Sequence, residues 1–125
     1  SVKNRKTDFD WLSYNKANVD KYIADPLCGF TATGGFYTEF LKGMRRICRK
    51  RFLAKVHKTI HLLIIAGAED PVGHNGKGPT KLADTYKKHG IRDVQLKIYP
   101  KMRHEILNET NHKEVYKDVL EFLDK

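Results

Sequence analysis

The run Leu62-Leu63-Ile64-Ile65-Ala66 constrains this chain more than any other stretch, because it is apolar at every position. A strand wetted on one face alternates apolar and polar residues. A run without alternation reads instead as a strand buried on both faces, as in a parallel sheet. Val94, Leu96 and Ile98 alternate and predict a second strand. Between the two, Pro79 is placed to open a helix where no backbone N–H is needed. Leu82, Ala83 and Tyr86 give that helix a face, and Gly90 ends it. A last helix is predicted from a capping box of Asn111 with Glu114 and an apolar face of Val115, Val119, Phe122 and Leu123. Strand, helix, strand, loop, helix is half of an α/β architecture. Two strands do not complete a parallel sheet, so an N-terminal half of the same fold is the expected partner.

Upstream, the first 32 residues are polar and irregular around one short helix, Asn15 to Ala24. Ser13 is placed to cap it, Val19, Tyr22 and Ile23 share a face, and Asp25-Pro26 stops it. Gly29 and Gly34-Gly35 mark turns. From Phe36 the period becomes helical. Phe36, Tyr37, Phe40, Leu41, Met44, Ile47 and Cys48 fall on one side, and Lys42, Arg45, Arg46 and Arg49 on the other. Such a face predicts docking on a core.

A chain of 125 residues, 40% of them apolar, allows one domain or a piece of one. No apolar run approaches the roughly 20 residues of a membrane span, and no signal peptide is visible at the start. The absence of an initial methionine fits a chain that begins within a longer protein. Cys28 and Cys48 form no Cys-x-x-Cys pattern and read as free thiols in a reducing, cytoplasmic compartment. The net charge of +9 reads first as a solvated face. The cluster Lys42, Arg45, Arg46, Arg49, Lys50 and Arg51 also suits a transient anionic lipid interface. Nucleic acid is not an expected partner, since no aromatic or groove-reading residues interleave those charges.

Two residues carry candidate chemistry. Asp70 follows the first strand and His104 the second. Carboxyl ends of parallel strands form the ligand crevice of α/β sheets, so the two side chains can meet there. An acid that holds an imidazole in one tautomer leaves the other ring nitrogen free to take a proton from a nucleophile. The nucleophile itself is missing. Ser1 and Ser13 are the two serines of the sequence, and neither sits in a Gly-x-Ser-x-Gly elbow. The loop Gly73-His74-Asn75-Gly76-Lys77-Gly78 fails the P-loop pattern, because glycine follows Lys77, and reads as a flexible, solvated loop. His57, His61, His74, His89 and His112 show no metal-ligand spacing and read as surface residues. Neither a metal nor an organic cofactor is expected.

Three segments resemble one family in the right order. They are Asp25-Pro26-Leu27-Cys28-Gly29-Phe30, Leu63 through Gly73, and Arg103-His104-Glu105-Ile106-Leu107-Asn108-Glu109. Together they resemble α/β-hydrolases of the bacterial lysophospholipase and monoacylglycerol lipase type, the serine aminopeptidase S33 group. The likeness runs from Phe9-Asp10-Trp11-Leu12-Ser13 to the end. It implies an α/β fold, the C-terminal part of an α/β-hydrolase: two parallel strands with flanking helices plus the end of a cap. Residues 1–32 would end the cap, residues 33–125 would form the C-terminal part of the core, and Phe36 to Arg51 would bridge them. Asp70 matches the triad acid and His104 the triad base of an enzyme that cleaves small amphiphilic esters. The chain departs from the family in lacking the nucleophile elbow and the oxyanion loop, so by itself it is expected to be inactive. It also has His57 and His61 where the family often has proline. The alternative is a truncated or decayed hydrolase, a non-catalytic basic module that binds an acidic partner.

Overall fold

The computed structural model describes residues 2, 5–47 and 49–124. In chain order the elements are α1 (Lys16–Ala24), α2 (Gly34–Ile47), α3 (Lys50–Leu53), β1 (His61–Gly67), α4 (Lys77–Lys88), β2 (Asp93–Tyr99), a 3-10 turn (Ile106–Asn108) and α5 (Lys113–Leu123). The two strands pair in parallel, His61 opposite Asp93 through Gly67 opposite Tyr99, with α4 as the crossover. No described helix is long and apolar enough to cross a membrane.

The absence of alternation in β1 has its cause in two cores, one on each face. Leu62 and Ile64 pack with Ala83, Ile91 and Val94. Ile65 packs with Tyr99, Met102, Ile106 and Val115. Successive strand residues point to opposite faces, so an apolar layer on each side demands an unbroken apolar run. Full burial does not follow: Leu62 to Ile65 are only half-buried. Among the described residues the sheet has two strands, and the second edge of β1 carries none.

Helix ends depart from expectation in three places. α4 begins at Lys77 after Gly76, so Pro79 is its third residue rather than its first. That position still lies in the first turn, where the N–H has no intrahelical partner. Gly90 ends α4 as expected. It has φ +86°, its N–H bonds the Lys87 carbonyl, and the Ile91 N–H bonds the Tyr86 carbonyl. This paired closure favours glycine because the left-handed backbone carries no Cβ penalty. α5 lacks its capping box: His112 is the cap residue and makes no side-chain cap bond. Glu114 turns instead toward Lys97, 3.5 Å away on β2. Ser13 does not cap α1 either. Asn15 is the cap residue, and the Ser13 hydroxyl is engaged elsewhere.

The faces depart as well. Leu123 is exposed on α5, and Ile23 on α1. None of the residues of α2 is buried: Phe36, Tyr37, Phe40, Leu41, Met44 and Ile47 are 43% to 59% exposed. The predicted docking of α2 on a core therefore does not occur among the described residues. Cys48, placed on that face by its spacing, lies outside them, as does Ser1. Cys28 is half-buried and free. Arg46, Arg51 and Lys55 gather around the Phe52 ring at 5.0 to 5.7 Å.

Candidate active site

Both strands deliver their next residues to one crevice. Beyond β1, the Ala68 N–H bonds the Tyr99 carbonyl and the Glu69 N–H bonds the Met102 carbonyl, at 2.8 and 2.9 Å. These bonds stitch the end of β1 to the loop that leaves β2. The close approach requires Gly67, because a Cβ there would lie 2.2 Å from the Arg103 carbonyl oxygen and 2.3 Å from that of Met102.

Asp70 and His104 meet at the top of this stitched region. The His104 Nδ1 lies 3.1 Å from the Asp70 Oδ2, and the two side chains are 40% and 10% exposed. An ionised carboxylate only accepts, so Nδ1 carries the proton in this contact, and a neutral ring here is the Nδ1–H tautomer. Nε2 is then the basic nitrogen, and it makes no hydrogen bond among the described residues. Asp70 is itself held, since its Oδ1 accepts the Val72 N–H at 2.9 Å and its carbonyl accepts the Asn75 N–H at 2.8 Å. The segment after Pro71 is thus wound into hydrogen-bonded turns, with His74 and Asn75 at φ near +50°, while His74, Asn75 and Lys77 remain exposed to solvent.

Sequence reasoning missed the groups that hold His104. Its ring packs on Trp11, with centroids 5.0 Å apart. The His104 and Glu105 N–H groups bond the Trp11 and Leu12 carbonyls, so residues 103–105 lie along residues 10–13. The Arg103 guanidinium bonds the Asp10 carbonyl and sits 3.8 Å above the Tyr14 ring. The Tyr14 hydroxyl donates to Glu69, and that bond raises the phenol above its ordinary 10.0. Glu109, almost wholly buried, accepts three hydrogen bonds, from the Ser13 hydroxyl, the Tyr14 N–H and the Arg103 N–H. The one visible signal was the acid in Arg103-His104-Glu105-Ile106-Leu107-Asn108-Glu109; its donors lie too far away in sequence to be read from spacing.

Four of the remaining histidines bond groups other than Asp70 and His104. His57 and His61 are exposed, bonded to Thr59 and Asp93. His89 and His112 are half-buried rather than on the surface, because each ring bonds a helix-end carbonyl, of Thr85 and Glu109. Among the described residues no group of three His, Cys, Asp or Glu could hold a metal ion.

Residues 1–111 match the family described as Serine aminopeptidase, S33. The chain belongs to this family of α/β-hydrolases. Among solved structures it is similar to a thermostable carboxyl esterase from Bacillus coagulans in complex with glycerol, at 30% identity and a TM-score of 0.87. That likeness covers 98% of this chain and 40% of the esterase chain. It is also similar to a lipase in an open form, at 29% identity and a TM-score of 0.73, over 91% of this chain and 37% of the lipase. The chain thus spans about two fifths of the length of these hydrolases, consistent with a C-terminal part of their fold. None of the curated proteins matches it.

Proposed function

We propose that this S33-family chain supplies the acid–base pair of a serine ester hydrolase, with His104 as proton carrier and Asp70 as its orienting acid. The observation that carries the reading is the 3.1 Å contact between the His104 Nδ1 and the Asp70 Oδ2, with Nε2 left uncommitted. The nucleophilic serine and the oxyanion donors come from polypeptide outside these residues, the remainder of the fold. Ser13, the described serine, is buried and bonded to Glu109. In the reaction, Nε2 takes the proton of the serine hydroxyl as its oxygen attacks the ester carbonyl. The imidazolium, stabilised by Asp70, then returns that proton to the leaving alcohol. Water repeats the cycle to release the acid.

The substrate class is a small amphiphilic ester, of the lysophospholipid or monoacylglycerol kind. Support comes from a cavity of about 290 Å³ bordered by Val2, Trp11, Pro71 and Val72 together with Arg5, Thr7 and Asp8. It reaches the pair through Trp11, which packs on His104, and Pro71, which follows Asp70. The exposed apolar face of α2, with Arg45 and Arg46 in its last turn, favours a transient anionic lipid interface as the place of encounter. The test is hydrolysis of a short-chain monoacyl ester by the whole hydrolase carrying His104→Ala. Triad members act in concert, so a loss of about 10³-fold or more in kcat is expected. Retention of most of kcat would remove His104 from the mechanism.

A further inference from the structure

Glu109 is an ionisable side chain that the acid–base chemistry does not use, yet it is 1% exposed and shares the His104 loop. A carboxylate is stable in such a place only when strong donors surround it. Here they are complete: Oε1 accepts the Arg103 N–H at 2.8 Å, and Oε2 accepts the Ser13 hydroxyl at 2.8 Å and the Tyr14 N–H at 2.9 Å. Ser13 in turn accepts the Asn15 N–H at 2.9 Å, which ties the start of α1 into the same knot. One acid therefore joins the residue immediately before His104 to the segment whose Trp11 ring packs on the imidazole.

We propose that Glu109 is the positioning residue of His104, fixing the backbone from which the imidazole reaches Asp70. The proposal rests on the reading of His104 as the base, but its test does not require turnover. The Met102–Arg103 peptide, which carries that N–H, cannot rotate without breaking a bond to the buried carboxylate, and it sets the chain direction one residue ahead of His104. The ring is then confined between Asp70 on one side and Trp11 on another, with Nδ1 toward the acid. An amide at position 109 keeps one acceptor oxygen and puts an NH2 group in place of the other, so either the Arg103 N–H or the Ser13 and Tyr14 donors meet N–H groups where they need an acceptor. The knot would open, and the ring would lose its single orientation.

The experiment is long-range proton–nitrogen NMR of the whole hydrolase with labelled histidine, which reports the proton on each ring nitrogen. In the unaltered chain His104 is expected in the Nδ1–H tautomer. Glu109→Gln is expected to bring the Nε2–H form to a comparable population, and Ser13→Ala to shift it in the same direction by less. Val115→Ala, an equally buried change in the core under β2, is expected to leave the His104 signature unchanged. An unaltered His104 tautomer in Glu109→Gln overturns the proposal, as does an equal shift in Val115→Ala. If Glu109→Gln does not fold, Ser13→Ala decides, and a silent Ser13→Ala overturns the proposal. Failure of the hydrolase reading is a separate result, seen as retained ester hydrolysis in His104→Ala while the tautomer shift in Glu109→Gln persists.

Discussion

A Cβ built on Gly67 would stand 2.2 Å from the Arg103 carbonyl oxygen, so the end of β1 touches the His104 loop backbone to backbone. Real Cβ atoms do not approach oxygen so closely, and the second neighbour, the Met102 carbonyl, is also main chain. No flexible side chain is present to give way. Gly67→Ala is expected to push the loop off the strand and to destabilise the fold by about 1–3 kcal/mol, as overpacking does. Urea unfolding of both forms measures this, and an unchanged midpoint would show that the contact is slack.

Asp70→Asn tests the orienting acid without removing its bulk. The amide can present N–H to the His104 Nδ1 and select the wrong tautomer, at a cost of about 10⁴-fold in kcat. The Val72 N–H keeps an acceptor if the amide oxygen takes the place of Oδ1. Stability should therefore change far less than activity. Parallel measurement of kcat and melting temperature separates the two effects.

The dependence of stability on pH has two limbs, both drawn from the cluster of Lys97, Tyr99 and Asp118, with Asp10 adding to the acid one. Lys97 and the Tyr99 hydroxyl bond Asp118 and hold its carboxyl below the ordinary 3.8. The bond between Asp10 and the Thr7 hydroxyl lowers that carboxyl too. Both contributions are full above the unfolded value and vanish as pH falls through the lower folded values. Burial, together with Asp118, raises the Tyr99 phenol well above 10.0, and Asp118 raises Lys97 above 10.5. Those contributions are full below the unfolded values and vanish as pH rises through the folded ones. Melting temperatures across pH should fall below about 4 and above about 10. Asp118→Asn should flatten the acid limb and Tyr99→Phe the alkaline one.

The 125-residue chain alone is expected to turn over no ester and to take up no fluorophosphonate probe, since Ser13 is buried and engaged. It should also self-associate through the open edge of β1 and the uncovered face of α2. Sedimentation at rising concentration checks this, and Phe40→Glu with Met44→Lys should reduce the association. A monomer with a sharp cooperative melt would instead favour a free-standing binding module.

Parallel pairing was legible in Leu62 to Ala66 because burial on two faces leaves a direct mark, the loss of alternation. The meeting of Asp70 and His104 followed from their places just beyond adjacent strands, where topology does the work of proximity. The clamp at Glu109 was not legible: its donors come from Ser13, Tyr14 and Arg103, and nothing local marks an acid as buried. Helix starts misled for a related reason. Glu114 had a local partner in Asn111 and a distant one in Lys97, and the tertiary partner won. The apolar face of α2 was read correctly as a face, but periodicity records only that a face exists, not what covers it.

The crossover from β1 to β2 is a single helix of twelve residues, and it lends no group to the Asp70–His104 contact. Its consequence is one of timing. Short loops close at small entropic cost, and contacts near in sequence are the first a folding chain samples. The bonds of Ser13 and Tyr14 to Glu109 span 96 and 95 positions and are expected to close later. Substitutions in α4 should then slow refolding, whereas Ser13→Ala should mainly speed unfolding. The imidazole would reach its acid first, and the N-terminal segment would lock it there afterwards.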